Sequence, residues 1–385
     1  MDDTKQVSNI TSVSGYINIV SKYFKSANNK RIYYRGHSST KYSMNPSIFR
    51  DNQLKCEDYL FQNMLLLNPD EFNSDVTTVE KLSRMQHHGC PTRLLDITSN
   101  PLVALYYASS GSEKDTGEVI VVIAADKVVK YYDNEKISFL ANLARLTHRE
   151  KHSLARLSQI VSSWVDVRIE NPHELMLYIH KYTKHDYNTG NHSLIEKDIN
   201  NICMYYLFYH IYRKYGILEE YVNEDYLSFR KLYKYVNMDT KIYNVYEHLY
   251  NIIYNLYTIY IVVPKINNKR ILAQSGLFML FGHDENIQEN MINNRHNVIL
   301  HSNIQFHTIR VRSSAKKDIL EELDALNINT ESLYLNIDNS SSSISPSIAI
   351  IVIAANKKAP CLDKDILPLP LNLSNNPIFA PFFYL

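Results

Sequence analysis

The chain has 385 residues, which is enough for one large domain or two smaller ones at ~100–200 residues per domain. Forty-one Lys and Arg residues against 40 Asp and Glu residues give a net charge of +1. This near-neutral balance excludes a global electrostatic attraction to nucleic acid or to anionic lipid.

The cysteines and the N-terminus bear on the cellular compartment. The four cysteines contain no CxxC pair and no metal-ligand spacing, which favours reduced thiols. The N-terminus lacks a basic segment followed by an apolar one, and no run of about 18 apolar residues occurs. We therefore expect a cytoplasmic protein without membrane association.

Helix and strand patterns alternate in the first third of the chain. VSGYINIVSKYFKS at 13–26 has apolar residues at helical spacing, whereas RIYYRG at 31–36 has the β-branched and aromatic residues of a short buried strand. TTVEKLSRMQHHG at 77–89 predicts a helix that is capped by one of its first threonines and ends at Gly89. TRLLDITSNPLVALYYAS at 92–109 predicts a strand or tight turn followed by a helix that Ser99 or Asn100 caps, with Pro101 in its first turn.

Later segments complete the predicted fold. VIVVIAAD at 119–126 has the length and apolarity of a strand covered on both faces, and residues from about 135–255 are helical in pattern. In the tyrosine-rich stretch 205–260, Tyr205, Tyr206, Tyr209 and Tyr212 occur at helical spacing, which favours packed helix faces over a base-stacking platform. RILAQSGLFMLFG at 270–282 predicts a strand pair or a strand and a turn. Further strands are predicted at YTIYIVVPK and IQFHTIRV, and a capped amphipathic helix at SAKKDILEELDALNI. The fold class is therefore α+β with a central mixed sheet.

Three segments concentrate polar side chains between apolar stretches. They are KRIYYRGHSS at 30–39, MQHHGCPTRLLDITSNPLVALYYA at 85–108 and VVPKINNKRILAQSGLFMLFG at 262–282. We expect them to wall one cleft, with Arg35, His88 and Gln274 within a ligand's length of one another. The candidate site residues are Arg35, Gly36, His37, His87, His88, Arg93, Asp96, Thr98, Ser99 and Gln274.

Several of these residues have structural alternatives. Histidine suits proton transfer near neutral pH, so His37, His87 and His88 are candidates for that role as well as for structural hydrogen bonding. Arg93 and Asp96 fit either a buried ion pair that orders the turn or a pair of ligand contacts. No carboxylate or cysteine completes a recognisable metal-ligand set with the histidines, so no metal site is expected.

The three segments closely resemble, in order and spacing, the hallmark blocks of the FRG domain, which is named for a Phe-Arg-Gly motif. Tyr34 stands where that Phe is expected. The resemblance covers residues 12–335, counting the helical insertion at about 135–255, and leaves 336–385 as a polar linker and C-terminal strand or tail. It implies a bacterial or phage-associated protein with a toxin or antiphage defence role.

A strand that ends in aromatic-Arg-Gly is also similar to the first motif of Arg-Ser-Glu type ADP-ribosyltransferases. This resemblance implies a split sheet and NAD as a substrate, with Arg35 on the phosphate and ribose side and Gly36 allowing the dinucleotide to lie against the strand. Thr98 or Ser99 would stand for the second element. Gln274 would occupy the position of the third element, where those enzymes have a glutamate.

The leading hypothesis is an NAD-dependent ADP-ribosyltransferase-like effector that acts on an unidentified protein or nucleic acid. A neutral amide orients a hydroxyl but does not stabilise positive charge as a carboxylate does, so Gln274 favours the alternative of a non-catalytic nucleotide-sensing module. Glu285 and Glu289 are further carboxylates downstream. A nuclease is a third alternative, which the histidines permit.

Overall fold

One mixed sheet organises the protein. The computed structural model describes residues 8–28, 30–165, 219–240, 256–266, 269–283 and 304–334. The strands are β1 (Ser8–Ile10), β2 (Arg31–His37), β3 (Leu94–Thr98), β4 (Gly117–Ala124), β5 (Val129–Tyr131), β6 (Ile259–Val263), β7 (Gly276–Phe281) and β8 (Ile304–Val311). Their order is β1-β8-β4-β2-β3-β7-β6-β5. β1–β8 and β5–β6 are parallel pairs and the other pairs are antiparallel.

Helices cover both faces of this sheet. They are α1 (Val13–Ser26), α2 (Glu57–Leu67), α3 (Thr78–His87), α4 (Pro101–Ser109), α5 (Glu135–Asn142), α6 (His148–Val165), α7 (Glu219–Thr240), α8 (Lys269–Ala273), α9 (Lys316–Ala325) and α10 (Thr330–Tyr334). Short 3-10 helices lie at Ser47–Phe49, Gln53–Cys56, Pro69–Phe72, Asp126–Val128, Leu143–Arg145 and Ser313–Ala315. The α+β class with a central mixed sheet is confirmed.

Alternation along the central strands builds two apolar cores. On β2, Tyr34 faces the core formed with α1, α4 and α9, whereas Tyr33 faces the core formed with α2, α3, α5, α6 and α7. All eight residues of β4 are buried, as expected for a strand covered on both faces. Burying both sides of the central strands fixes their register, because a one-residue slip would exchange the two cores.

The sheet opens between its two middle strands. β2 pairs with β4 at every position from Arg31 to His37, but its pairing with β3 is limited to Tyr34 opposite Thr98. β3 in turn pairs along its whole length with β7. The edges of β2 and β3 therefore diverge beyond a single point of contact, and the backbone groups in the gap need other partners.

The start and end signals of α3 and α4 agree with the sequence. Thr77 and Glu80 form a capping box at the start of α3, and Gly89 follows its end with a φ of 79°. The side chain of Asn100 caps α4, and Pro101 is the first residue of that helix. In sequence, α3 precedes β3 and α4 follows it, so the two helix ends fix where the polar residues of β3, Asp96 and Thr98, are placed.

Two sequence expectations need correction. Residues 269–273 form the helix α8 rather than a strand, because the KRILA segment is also compatible with one helical turn and only GLFMLF continues in the sheet. Cys56 is disulfide-bonded, whereas reduced thiols were expected, since sequence spacing says nothing about which cysteines meet in space. Cys90 is a free, buried thiol.

Parts of the predicted helical insertion are described by α5, α6 and α7. Tyr226, Tyr233 and Tyr235 of α7 are partly buried against the core, as packed helix faces require. Tyr221 also belongs to α7, whereas the other tyrosines at 205–255, Glu285, Glu289 and the segment 336–385 lie outside the described residues. Within the described ranges, every helix is too short or too polar to cross a membrane.

Candidate functional site

A cavity of about 200 Å³ lies where β2 and β3 diverge. Its walls come from β2, α3, β3, α4, α8 and β7, so all three polar segments of the sequence contribute to it. Its polar lining residues are Arg35, His87, Asp96, Thr98, Arg270 and Gln274. Its main apolar lining residues are Tyr34, Ile97, Val103, Tyr107, Leu277 and Phe278.

Arg35 bridges the gap between the diverging strands. Its Nη1 atom donates a hydrogen bond to the carbonyl oxygen of Asp96 on β3, and its Nε atom donates to Nε2 of His37 at 3.0 Å. The guanidinium thus occupies a position where backbone pairing between β2 and β3 has stopped. Burial lowers the pKa of Arg35 from its ordinary value, the charge of Asp96 opposes this shift, and an arginine stays protonated in proteins.

His37 fixes the orientation of the Arg35 side chain. Its Nδ1 atom lies 3.2 Å from Oε1 of Glu118, which is the cross-strand partner of His37 on β4. Because Nε2 accepts from Arg35, the neutral tautomer with a proton on Nδ1 is required, and that proton is donated to Glu118. Burial lowers the pKa of His37, which favours this neutral form. Both ring nitrogens are engaged, so His37 is a positioning residue and not a free proton-transfer group.

Asp96 contributes the carboxylate of the cavity. Its side chain is exposed, and its Oδ2 atom accepts a hydrogen bond from Nε2 of Gln86 at 2.7 Å. The Oε1 atom of Gln86 accepts in turn from the hydroxyl of Thr92 at 2.7 Å. Because Thr92 fixes which end of the amide faces Asp96, the Gln86 amide can only donate to that carboxylate.

Of the two adjacent histidines, His87 faces the cavity. Burial lowers its pKa to about 4, with Arg270 as the next cause, so the ring is neutral at pH 7. Its Nε2 atom is buried and has no partner among the described residues. His88, expected to line the cleft, lies instead 4.0 Å from Glu71 on the other side of the helix end.

Arg270, which the sequence interpretation did not single out, is the second guanidinium of the cavity. It lies over the ring of Tyr334 in α10, with its Cζ 5.3 Å from the ring centroid. Gln274, at the end of α8, donates from Nε2 to the carbonyl oxygen of Leu333 at 3.2 Å. α10 therefore supports the two polar residues that α8 and the following turn place at the cavity. The adjacent basic residues Lys269 and Arg270, just before ILAQSG, are the sequence feature that could have indicated this cation.

A family model for the FRG domain matches residues 30–117. The chain carries an FRG domain. The match includes β2, α3, β3 and α4, which supply Arg35, His87 and Asp96. No curated protein and no solved structure matches the chain. The wider boundaries 12–335 and 336–385 remain a prediction.

Arg93 of the FRG domain does not line the cavity. Its side chain is fully buried and pairs with Glu57 of α2, with its Nε 2.7 Å from Oε1, while its Nη1 donates to the carbonyl oxygens of Phe281 and Gly282. Lys151 of α6 adds a second cation 2.5 Å from the same carboxylate. The Arg93–Asp96 ion pair was therefore wrong, because an arginine at the start of β3 and an aspartate three residues later face opposite sides of the strand.

The charge of Glu57 is maintained in this buried cluster. Burial alone would raise its pKa, but Arg93 and Lys151 outweigh burial and bring the pKa down to about 2. The cluster ties the FRG domain to α6 and to the end of β7. Arg93 therefore has structural partners on α2 and at the end of β7.

Thr98 and Ser99 have structural partners. The Thr98 hydroxyl donates to the carbonyl oxygen of Gln274 at 2.7 Å and accepts from the backbone N–H of Asn100. Ser99 is exposed and its hydroxyl lies 3.4 Å from the carbonyl oxygen of Ser275. Thr98 lines the cavity and Ser99 does not. Together they join the end of β3 to the turn before β7.

Gly36 is required by packing against α4. A Cβ atom at this position would lie 2.0 Å from the carbonyl oxygen of Ala104, and one at Gly117 would lie 2.0 Å from that of Ala108. The face of Gly36 that was expected to receive a dinucleotide is therefore covered by helix backbone. Among the described residues, no group of three or more His, Cys, Asp or Glu side chains is arranged to hold a metal ion.

Proposed function

We propose that the cavity binds an NAD-type dinucleotide by its phosphate-bearing part and that the protein is an ADP-ribosyltransferase-like enzyme. The observation that carries this proposal is the arrangement of Arg35 in the split of the sheet. Two of its five N–H donors are bonded to His37 and Asp96, and the other three have no partner among the described residues and can meet a ligand. A guanidinium held in this way presents a planar donor pair to a phosphate.

The second guanidinium supports a doubly charged anionic ligand. Arg270 acts on His87 and on Tyr107, which are both cavity residues, so its charge is felt inside the cavity. Among the described lining residues, Arg35 and Arg270 are the arginines and Asp96 is the one carboxylate. A pyrophosphate that lies between the two arginines can contact both of them.

The cavity size limits how the ligand lies. At about 200 Å³ the cavity is smaller than the ~300–1,000 Å³ of a site that encloses a whole drug-sized ligand. It therefore takes one end of the dinucleotide and leaves the adenosine outside. The buried His87 Nε2 and Tyr34 hydroxyl, which have no partners among the described residues, are available to the polar groups of the enclosed end.

A non-catalytic nucleotide-binding module is the second candidate function. It is favoured by Gln274, whose amide stands where the resemblance places a glutamate and whose Nε2 is already bonded to α10. In that case the protein binds the dinucleotide without consuming it. The proposed toxin or antiphage role fits either candidate. A sensing module would respond to the level of cellular NAD, and a transferase would consume it.

Incubation with NAD labelled in the nicotinamide ring separates the candidates. Release of nicotinamide with transfer of ADP-ribose supports the transferase, calorimetric binding without release supports the binding module, and cleavage of RNA or DNA without NAD supports the nuclease alternative. Arg35→Lys should lose binding because an ammonium cannot hold His37, Asp96 and a phosphate together. Arg31→Lys is the matched control, since Arg31 lies on the same strand but is 54% exposed and paired with Asp126. Equal binding by wild type and Arg35→Lys contradicts the proposal.

A further inference from the structure

Asp96 is poised for a role beyond ligand contact. Its Oδ2 atom is held by Gln86, and its Oδ1 atom has no partner among the described residues. The backbone carbonyl of the same residue accepts from Arg35. One residue therefore holds the Arg35 guanidinium through its backbone and is also the residue that brings a carboxylate to the lining of the cavity.

Charge in the cavity makes this carboxylate necessary. Arg35 and Arg270 are cations, and His87 is neutral at pH 7 because burial lowers its pKa to about 4. Positive charge that develops on a bound ribose beside two guanidiniums is disfavoured unless an anion lies next to it. Among the described lining residues only Asp96 supplies one.

We propose that Asp96 is the catalytic carboxylate of this site and that it stabilises positive charge at the ribose C1′ atom while the nicotinamide bond breaks. This inference rests on the proposed function. The C1′–N bond breaks with its electron pair moving to the nicotinamide nitrogen, which becomes neutral. The positive charge is shared by C1′ and the ring oxygen. An acceptor hydroxyl or water then bonds to C1′ and loses its proton to solvent, while Asp96 is unchanged.

Gln86 and Thr92 are positioning residues for that carboxylate. Thr92 donates to Gln86 Oε1, so Gln86 Nε2 faces Asp96 and holds Oδ2. The Oδ1 atom is thereby kept available for the ribose. Loss of the Gln86 amide should reduce the rate less than loss of the Asp96 charge, because the carboxylate remains but is less well oriented.

Two ligands test the charge assignment without relying on turnover. One is ADP-ribose, and the other is an analogue in which a protonated pyrrolidine replaces the terminal ribose. The wild-type protein should bind the cationic analogue about tenfold or more tightly than ADP-ribose, as expected for one charge-assisted contact. Asp96→Asn should bind both ligands with similar affinity. Its fold should persist, because Asp96 is exposed and an asparagine oxygen can still accept from Gln86.

Turnover gives the second readout. Asp96→Asn should slow nicotinamide release by about 100-fold or more while its affinity for ADP-ribose changes little. Glu71→Gln is the matched control, because Glu71 is a carboxylate near His88 outside the cavity and its removal should leave both readouts unchanged.

The outcomes separate this inference from the proposed function. If the wild-type protein binds ADP-ribose but does not prefer the cationic analogue, or if Asp96→Asn keeps that preference, the role of Asp96 is overturned while dinucleotide binding stands. If the wild-type protein binds neither ligand, the proposed function fails and the role of Asp96 fails with it.

Discussion

The Nε atom of Arg35 donates a hydrogen bond to Nε2 of His37, two residues further along β2. Side chains two apart on a strand lie on the same face, so this contact follows from the strand itself. Glu118, opposite His37 on β4, fixes the proton on the other ring nitrogen. The hydrogen bonds from Arg35 to His37 and from His37 to Glu118, which join β2 and β4, therefore determine the orientation of the Arg35 guanidinium at the cavity.

Replacing His37 should weaken ligand binding through Arg35. We expect His37→Leu to lower ADP-ribose affinity about tenfold, because Arg35 loses the acceptor that orients it. His37→Gln should recover most of the affinity, since its amide can accept from Arg35 and donate to Glu118. Calorimetric Kd values, read beside Tm, check this: equal affinities for His37→Leu and His37→Gln at matched stability would show that His37 does not position Arg35.

Glu57→Gln should destabilise the protein by about 3–5 kcal/mol. The substitution leaves Arg93 and Lys151 buried without their shared carboxylate. Urea denaturation measures the loss, and Asp126→Asn is the control. Asp126 pairs with Arg31 at the surface with 67% of its side chain exposed, so its removal should cost about 1 kcal/mol or less. Similar losses for the two variants would argue against the buried cluster.

Gly36→Ala should cost about 3 kcal/mol or more of folding free energy, since the new methyl group meets the backbone of α4 at 2.0 Å. Gly276→Ala is the matched substitution on β7, where the nearest atom would be 3.5 Å away. We expect its Tm to stay close to that of wild type. A stable Gly36→Ala protein would show that α4 does not pack on β2 at this distance.

Stability should fall as the pH drops from about 6.5 towards 4. Burial lowers the pKa of His87 to about 4, so the unfolded chain binds a proton in this range that the folded protein does not. His37 and His283 act in the same direction, because burial lowers their pKa values as well. The free energy of unfolding, measured against pH, should have a positive slope. His87→Gln should reduce that slope by up to about 1.4 kcal/mol per pH unit. An unchanged slope would contradict a neutral, buried His87.

Local sequence patterns predict many of the helices and strands, because caps, turns and side-chain alternation depend on residues that are close in sequence. The structure confirms a threonine cap at the start of α3, the end of that helix at Gly89 and the Asn100 cap of α4, and each involves residues within four positions of one another. The alternation on β2 likewise predicts which side chains share a face. Residues 30–39, 85–108 and 262–282 were grouped by polarity, and all three segments contribute to the cavity.

Partners far apart in sequence were beyond such patterns. Arg93 pairs with Glu57, 36 residues earlier, and with Lys151, and nothing in those segments marks them as neighbours of β3. Asp96 is nearer to Arg93 in sequence but does not pair with it. The sequence also did not distinguish His87 from His88, since adjacent positions at a helix end differ only by the rotation of about 100° per residue that separates the cavity side from the outside.

The most direct test of the account is a crystal structure of the protein with ADP-ribose. The diphosphate should lie in the gap between β2 and β3, within hydrogen-bond distance of the free Arg35 donors and near Arg270, with the terminal ribose beside Asp96. A diphosphate bound elsewhere on the protein, or a cavity without density at saturating ligand, would contradict the central claim that this split in the sheet is a dinucleotide site.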